Sequence, residues 1–231
     1  MFFKERSYQK EFLDNNNIPF EDIKRNMLEL DFINTYLGGH RVTLKGIRAL
    51  AGSKDLSIAE IGCGGGDNLR QIRNLAVNNN IDVHLTGIDI NPECIKFARE
   101  RKSNDGIDFI CSDYRKVDFE VQPDIIFSSL FCHHFNDEEL IVMMQWMNQQ
   151  CRIGFFINDL HRNAFAYYSI KWLTKAFSKS YMVRNDAALS VKRGFRKKDL
   201  DSLFEKAKIK DVRISWLWAF RWLVVCTKHE A

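Results

Sequence analysis

The chain has 231 residues, of which 45% are hydrophobic and 28% charged, so it can bury one sizeable core with at most a modest helical addition. It contains neither a run of about 18 apolar residues nor an apolar stretch at its start, and we expect a cytoplasmic protein without a membrane span or signal peptide. The net charge of +4 is too small to indicate a nucleic-acid partner by itself.

The first 50 residues are predicted to form an N-terminal helical cap, and residues 51–231 the main domain. Apolar residues recur at helical spacing between Ser7 and Leu50, and the pair Gly38 and Gly39 interrupts the pattern. From Ser57 the pattern changes to short apolar runs that alternate with helical segments. This alternation is typical of βα units around a mainly parallel sheet.

The order of the predicted elements favours a doubly wound α/β fold. A helical insertion at about 160–195 follows the fifth strand, and a helix at Lys197–Lys206 follows the insertion. The last two β-like runs are joined by too few residues for a helix, so they predict an antiparallel hairpin. The predicted strands are Ser57–Ile61, Val83–Asp89, Asp108–Cys111, Ile125–Ser129, Gly154–Asn158, Val212–Trp216 and Trp222–Thr227, and the other helices are Asn68–Val77, Pro92–Arg101, Asp137–Gln149 and Ala164–Phe177.

The six cysteines are far apart and form no C-x-x-C pair. Most of them lie in predicted strands or at strand ends, which favours buried thiols over a disulfide framework or a zinc site. No metal site is therefore expected. The cysteines are Cys63, Cys94, Cys111, Cys132, Cys151 and Cys226.

A glycine-rich segment, Glu60-Ile-Gly-Cys-Gly-Gly-Gly-Asp67, links the first strand to a helix. Glycines there let the backbone turn sharply and approach a nucleotide-type cofactor. In the dinucleotide fingerprint G-x-G-x-x-G the third glycine would fall at position 67, where this chain has an aspartate. A pyrophosphate is disfavoured beside two carboxylates, whereas the amino group and sulfonium of S-adenosylmethionine suit them.

Acidic residues also end the next two strands. Asp89 lies about 20 residues beyond the glycine loop, where a carboxylate can accept hydrogen bonds from ribose hydroxyls, and Ile90 could flank the adenosine. Asp113 at the end of the third strand can accept from an adenine amino group while Tyr114 covers the ring. Three acids at three successive strand ends favour one shared cofactor.

These motifs together resemble the class I S-adenosylmethionine-dependent methyltransferases, the group that includes the type 11 and quinone-biosynthesis families. The resemblance extends from about Ser57 to Asp159 and more loosely to the C-terminus. It implies a Rossmann-like, seven-stranded, mostly parallel sheet with an antiparallel last strand. The matching stretches are E-I-G-C-G-G-G at Glu60–Gly66, G-I-D at Gly87–Asp89, C-S-D-Y at Cys111–Tyr114 and P-D-I-I-F-S-S-L-F-C-H-H-F at Pro123–Phe135.

The resemblance also implies roles for particular residues. Asp89 is expected at the ribose, Asp113 and Tyr114 at the adenine, and Ser129 and Leu130 near the transferred methyl group. The segment Leu37–Arg41 resembles one in a bacterial small-molecule subset, where Arg41 could reach the cofactor carboxylate or be a surface arginine. The loop residues Glu60, Gly62, Cys63, Gly64 and Gly66 are expected around the methionine part of the cofactor.

Three histidines are candidates for the base. His133 and His134 follow the fourth strand at the sheet edge where a methyl acceptor is expected, and histidine suits proton removal near neutral pH. His161, after the fifth strand, is the rival, with Asp159 as a possible orienting partner. A purely structural role for each histidine stays open, because a base is needed only when the acceptor carries a proton.

The region from Arg162 to Lys198 combines ten Lys and Arg residues with interleaved aromatics and only one acid, Asp186. Such a segment could cover an aromatic or anionic acceptor, contact an anionic membrane, or be a lid with solvated charges. RNA binding stays a further alternative.

We therefore predict a methyltransferase that uses S-adenosylmethionine, releases S-adenosylhomocysteine, and methylates oxygen or carbon of a small aromatic, polyketide-like or isoprenoid molecule. The alternatives are a non-catalytic module that binds the same cofactor for regulation and an RNA methyltransferase. A nicotinamide oxidoreductase is disfavoured by Glu60 and Asp67.

Overall fold

A computed structural model describes residues 3–14, 18–52 and 55–228, and a seven-stranded sheet of order β3-β2-β1-β4-β5-β7-β6 forms its centre. Strands β1 to β5 pair in parallel, whereas β7 is antiparallel to both of its neighbours, β5 and β6. The predicted sheet is thereby confirmed. The strands are β1 Asp55–Ile61, β2 Asp82–Asp89, β3 Asp108–Cys111, β4 Ile125–Ser129, β5 Gly154–Leu160, β6 Val212–Leu217 and β7 Arg221–Thr227.

Eight α-helices accompany the sheet in the described ranges, and every predicted element is present with ends displaced by at most two residues. The predicted insertion contains a second helix, α7, which sequence periodicity did not single out. Ser180 begins it by accepting a hydrogen bond from the N–H of Val183. The helices are α1 Phe20–Tyr36, α2 Gly39–Leu50, α3 Asp67–Asn78, α4 Pro92–Glu100, α5 Asp137–Gln150, α6 Ala164–Phe177, α7 Tyr181–Arg193 and α8 Lys197–Ala207.

The core has two layers because alternate strand residues face opposite sides of the sheet. In β1, Ile58 packs into the layer that includes helices α2, α3 and α4, whereas Ala59 and Ile61 pack into the layer of α5 and α8. All three side chains are fully buried. Helices on both faces leave only the edges of the sheet for binding, and the carboxyl ends of the parallel strands lie at one of them.

Helix α2 lies directly on the sheet against β5 and β7. Gly46 allows this approach, since a Cβ there would be 2.5 Å from the ring of Phe156 on β5. The predicted N-terminal cap therefore divides into a helix of the sheet layer, α2, and a helix above the strand ends, α1. The boundary at residue 50 stays a prediction.

Helix α7 contacts both α1 and α6 above the carboxyl ends of the strands. In the part of the chain that the structure describes, no helix has both the length and the apolarity needed to cross a membrane. The six cysteines are free, and all except the exposed Cys111 are buried.

Candidate functional site

The glycine loop after β1 follows a left-handed path that requires its glycines. Gly62, Gly64 and Gly66 have φ angles of +69°, +51° and +72°, a region that side-chain-bearing residues seldom adopt. The N–H of Gly62 donates to the carbonyl of Ile88 at 2.8 Å, which holds the loop against the end of β2. A Cβ at Gly62 would collide with the ring of Phe131, so that ring covers the loop directly.

A cavity of about 690 Å³ lies beside this loop, and we call it the glycine-loop cavity. Its walls are residues 62–65, the ends of β1, β2 and β4, helix α1 and the start of α4. Among the described residues that line it there are five carboxylates and neither lysine nor arginine. The carboxylates are Asp14, Glu60, Asp67, Asp89 and Glu93.

Glu60 has an unused hydrogen-bonding oxygen in this wall. The residue is 1% exposed; its Oε1 accepts from the Nδ2 of Asn68 at 2.8 Å, and its Oε2 has no partner among the described residues. Burial raises the pKa of Glu60 well above its usual value, and the nearby Asp67 adds to the rise. A ligand cation would supply both the missing partner and the missing counter-charge.

Asp89 ends β2 on the opposite side of the loop. Its Oδ2 accepts from the N–H of Gly64 at 2.9 Å, and its Oδ1 accepts from the N–H of Asn91 at 2.8 Å. Burial raises the pKa of Asp89, although these backbone hydrogen bonds favour its charged form. The carboxylate is thus held in place with lone pairs left for a ligand.

The structure brings eight of the predicted cofactor residues to the lining of this cavity. Besides Glu60 and Asp89 they are Gly62, Cys63, Gly64, Ile90, Ser129 and Leu130.

The other four predicted cofactor residues lie outside the lining. Gly66 faces Phe109, and Tyr114 packs edge-on against Trp146 in the core. Asp113 forms an ion pair with Arg115, and Arg41 is on the exposed side of α2. Asp113 and Tyr114 at the adenine therefore stay predictions, and Arg41 corresponds to the surface alternative.

A second, largely apolar cavity of about 340 Å³ adjoins the first, and we call it the apolar cavity. Helices α1, α6 and α7 form its walls, together with the chain between β6 and β7. The two cavities share four lining residues, which mark the place where they meet. These are Leu13, Leu30, Leu130 and His134.

Leu130 is held at this junction in a strained conformation. Its φ is +54°, and its N–H donates to the carbonyl of Asn158 at 2.9 Å. A left-handed backbone at a residue other than glycine costs about 1–3 kcal/mol and is typical of functional sites. The Nδ2 of Asn158 also donates to the Oγ of Ser129 at 3.1 Å, so β5 positions the end of β4.

His133 is buried between two carboxylates. Its Nδ1 lies 2.8 Å from the Oδ1 of Asp159, and its Nε2 lies 3.6 Å from the Oε1 of Glu11. Burial opposes the charged ring, but the carboxylates of Asp159 and Glu11 outweigh burial and raise the pKa of His133 to about 9. The two carboxylates thus favour the protonated ring at neutral pH, which disfavours His133 as the base.

His134 is the histidine at the junction of the two cavities. Its Nδ1 lies 2.7 Å from the Oδ1 of Asp14, and its Nε2 lies 3.9 Å from the Oε2 of Glu11. Asp14 also accepts from the Nη1 of Arg193 at 2.8 Å, which fixes the carboxylate that orients the ring. Of the three predicted histidines, only His134 lines both cavities.

Glu11, His133 and His134 have ligand-type atoms within 4.8 Å of one another, a spacing that could suit a metal ion. The guanidinium of Arg193 lies 3.8 Å from Glu11 and already gives this carboxylate a positive neighbour. We assign no metal here.

His161 lies apart from both cavities. Its Nδ1 accepts from the Nε1 of Trp216 at 3.1 Å, and its ring packs edge-on against Trp222. Asp159 pairs with His133 instead of orienting His161. The structure therefore does not bring His161 to the site.

Sequence reasoning missed several residues that line these cavities or support them. Glu11 and Asp14 lie in the N-terminal region, far along the chain from the histidines that they contact, and no local motif marks them. Sequence reasoning places Arg193 only within a basic segment and does not single out Arg221. An available signal was the isolated charge of Arg221 at the start of an apolar strand.

Residues 58–154 match the family model described as a methyltransferase domain. Two curated relatives are both malonyl-[acyl-carrier protein] O-methyltransferases. The protein from Acetivibrio thermocellus is 30% identical over 95 residues, which is 41% of this chain and 32% of that one. The protein from Bacillus anthracis is 27% identical over 95 residues, again 41% of this chain and 34% of that one. The chain thus spans about a third of the length of these relatives.

Solved structures share the fold over most of this chain. The plantazolicin methyltransferase BpumL, solved with SAH and a desmethylPZN analog, has a TM-score of 0.64 at 17% identity, covering 91% of this chain and 89% of BpumL. Human N-acetylserotonin methyltransferase, solved with SAM, has a TM-score of 0.65 at 16% identity, covering 92% of this chain and 57% of the human protein. The predicted class I methyltransferase fold is confirmed.

The raised pKa of His133 predicts a specific pH dependence of stability. The proton stabilises the folded state fully below pH 6.5, and this contribution is lost as the pH rises through about 9. The difference in free energy of unfolding between the wild type and His133→Asn should shrink by roughly 1–3 kcal/mol between pH 7 and pH 10. Urea titrations at both pH values measure it.

His84→Asn is the control, because His84 is exposed and its neighbour Asp108 lies 3.7 Å away at the surface. Its difference from the wild type should stay small at both pH values. An equal deficit of His133→Asn at pH 7 and pH 10 would contradict the protonated state.

Proposed function

We infer that this chain, which carries a class I S-adenosylmethionine-dependent methyltransferase domain, transfers a methyl group to a small or lipophilic molecule. The observation that carries the proposal is the charge of the glycine-loop cavity. Five carboxylates and neither lysine nor arginine among its described lining residues favour a cofactor that is cationic and lacks phosphate. S-adenosylmethionine has both properties, whereas a nicotinamide dinucleotide has neither.

The residues of this cavity fit the parts of that cofactor. Glu60 would accept from the amino group through its unpartnered Oε2, and Asp89 would accept from the ribose hydroxyls. Ile90 would flank the adenosine, and Ser129 and Leu130 would face the sulfur. When bound, the cofactor supplies an electrophilic methyl group on a positively charged sulfur. S-adenosylhomocysteine is the product.

The apolar cavity supports catalysis over a purely regulatory role. It meets the cofactor cavity at Leu130 and His134, where an acceptor can approach the methyl group. Among the proteins with which this chain shares similarity, one is named for malonyl-[acyl-carrier protein] and another for plantazolicin. We propose oxygen or carbon methylation of an aromatic, polyketide-like or isoprenoid acceptor.

His134 is the proton acceptor in this proposal. It lies at the junction, and Asp14 holds the Nδ1 side of its ring, which leaves Nε2 nearest Glu11 and the cavities. His133 supports it as a protonated neighbour whose ring centre lies 4.4 Å away. Glu11 and Asp14 would stabilise the charge that His134 gains when it takes a proton from the acceptor.

Helix α6 could help a lipophilic acceptor to enter. It contributes Phe165 and Leu173 to the apolar cavity while Trp172 and Phe177 are largely exposed. Exposed aromatics beside basic residues suit peripheral contact with an anionic membrane. That contact and the cytoplasmic location stay predictions.

Calorimetry with two ligands tests the cofactor site. Glu60→Gln keeps an acceptor for Asn68 but removes the charge, so it should weaken the binding of S-adenosylhomocysteine about tenfold. The binding of 5′-methylthioadenosine, which lacks the α-amino group of the amino-acid part, should be unchanged. Asp89→Ala should weaken both ligands, because both contain the ribose. Equal affinities of wild type and Glu60→Gln for S-adenosylhomocysteine would contradict the assigned orientation.

A comparison of histidine variants tests the base. With S-adenosyl-[methyl-³H]methionine and the best acceptor from a panel of alkylphenols, which keep the phenolic proton near neutral pH, His134→Gln should lower kcat by roughly 10²-fold or more. Its affinity for S-adenosylhomocysteine should stay within about twofold, since proton transfer from the acceptor and cofactor binding use different groups. His161→Gln is the matched control and should keep its turnover. Full activity of His134→Gln would remove it as the base.

A further inference from the structure

Arg221 is a buried cation with unused donors. It is the first residue of β7, pairs in register with Leu160 of β5, and is 3% exposed. Its Nη2 donates to the Oδ1 of Asn34 at 3.0 Å. Neither Nε nor Nη1 has a hydrogen-bond partner among residues 3–14, 18–52 and 55–228.

This guanidinium also lacks an ion-pair partner within the described ranges, where no carboxylate oxygen lies within 4.0 Å of it. Burial lowers the pKa of Arg221 to about 10, and the more distant Asp159 and Asp67 limit the fall. The side chain is therefore charged at neutral pH. A buried charge without a counter-charge is costly, so its presence requires an explanation.

Arg221 lines the apolar cavity and is the only lysine or arginine among the described residues of that lining. The two acids of the lining have other partners. Glu11 accepts from the Oγ of Ser190 at 2.8 Å, and Asp186 accepts from the backbone N–H groups of residues 12 and 13. The cavity thus combines apolar walls with one unpaired cation.

Asn34 separates this cation from the cofactor cavity. It lines the glycine-loop cavity, its Oδ1 accepts from Arg221, and its Nδ2 lies 3.4 Å from the Oδ2 of Asp67. Arg221 itself lines only the apolar cavity. The residue therefore belongs to the lining of the apolar cavity and not to that of the cofactor cavity.

We propose that Arg221 binds an oxyanion of the acceptor, so that the substrates of this enzyme are amphiphiles with an acidic oxygen and an apolar body. The apolar body occupies the space between α1, α6 and α7, and the oxyanion accepts from the free donors of Arg221. A carboxylate and an ionised phenol share this chemistry. The inference rests on the proposed function, because it names the class of molecule that the methyltransferase would modify.

Calorimetry on the full chain saturated with S-adenosylhomocysteine tests the proposal at pH 8. The anionic probes are decanoate and 4-hexyl-2-nitrophenol, both of which are ionised at this pH. Decanol is the uncharged control ligand. At least one of the two anions should bind about tenfold or more tightly than decanol, the difference expected for hydrogen bonds to a charged group. The better anion identifies the kind of oxyanion.

Arg221→Gln should abolish the preference for the anion and leave decanol binding within about twofold of the wild type, because the apolar walls are unchanged. Arg213→Gln is the matched control, because Arg213 is exposed on the neighbouring strand β6, outside both cavities. This variant should keep the preference for the anion over decanol. If Arg221→Gln fails to fold, Arg221→Lys replaces it in the test, because lysine retains the charge. Arg221→Lys should reduce the preference for the anion, since one ammonium cannot reproduce the donors of a guanidinium.

Wild-type protein that binds decanol as tightly as both anions would overturn the proposal, whatever the variants do. So would an anion preference that survives in Arg221→Gln. A loss of S-adenosylhomocysteine affinity in Arg221→Gln with the anion preference intact would assign the guanidinium to the cofactor instead. Failure of the wild type to bind S-adenosylhomocysteine would contradict the proposed function separately, and anion binding without that ligand would still report on Arg221.

Discussion

Parallel pairing brings the carboxyl ends of β1, β2, β4 and β5 to one edge of the sheet, and both cavities depend on this alignment. Ile61 is in register with Ile88, and Ser129 is in register with Asn158, so the loops that follow these strands leave the sheet side by side. Because the helices cover both faces, this edge is where a ligand can reach the strand ends. The glycine loop, Leu130 and the histidines all follow from this arrangement.

The two cavities differ in which buried polar atoms lack a hydrogen-bond partner. The Oε2 of Glu60 has no partner in the described structure beside a cavity of carboxylates, and two donors of Arg221 have none beside an apolar cavity. Buried polar groups normally find partners within the protein. An unpartnered acceptor on one side of the Leu130 junction and unpartnered donors on the other suit a cationic donor of methyl groups on the first side and an anionic acceptor on the second.

The glycine loop and the acids at strand ends could be predicted from the sequence because each depends on a local pattern. A strand, a glycine turn and a helix are consecutive in the chain, and their ends follow from turn and capping chemistry, as at Asn91 before Pro92. His133 and His134 were placed at the correct edge for the same reason. Their distinct chemistry was not predictable, because Asp159 and Asp14 decide it through contacts that span 26 and 120 residues.

Arg221 and Arg41 show the same limit. A local motif pointed to Arg41, which is exposed on α2, whereas Arg221 is buried because β7 inserts between β5 and β6. Only the antiparallel placement of that strand brings its first residue to the cavities. Helix α7 was missed because charged residues interrupt its apolar spacing, although it walls the apolar cavity.

The proposed function requires that the carboxylates around the glycine loop make this site specific for a cationic cofactor without phosphate. Calorimetry of the wild-type protein with S-adenosylmethionine, S-adenosylhomocysteine and NADH under one set of conditions tests it most directly. We expect saturable binding of the first two ligands and none of NADH. Tight binding of NADH with neither of the others would contradict it.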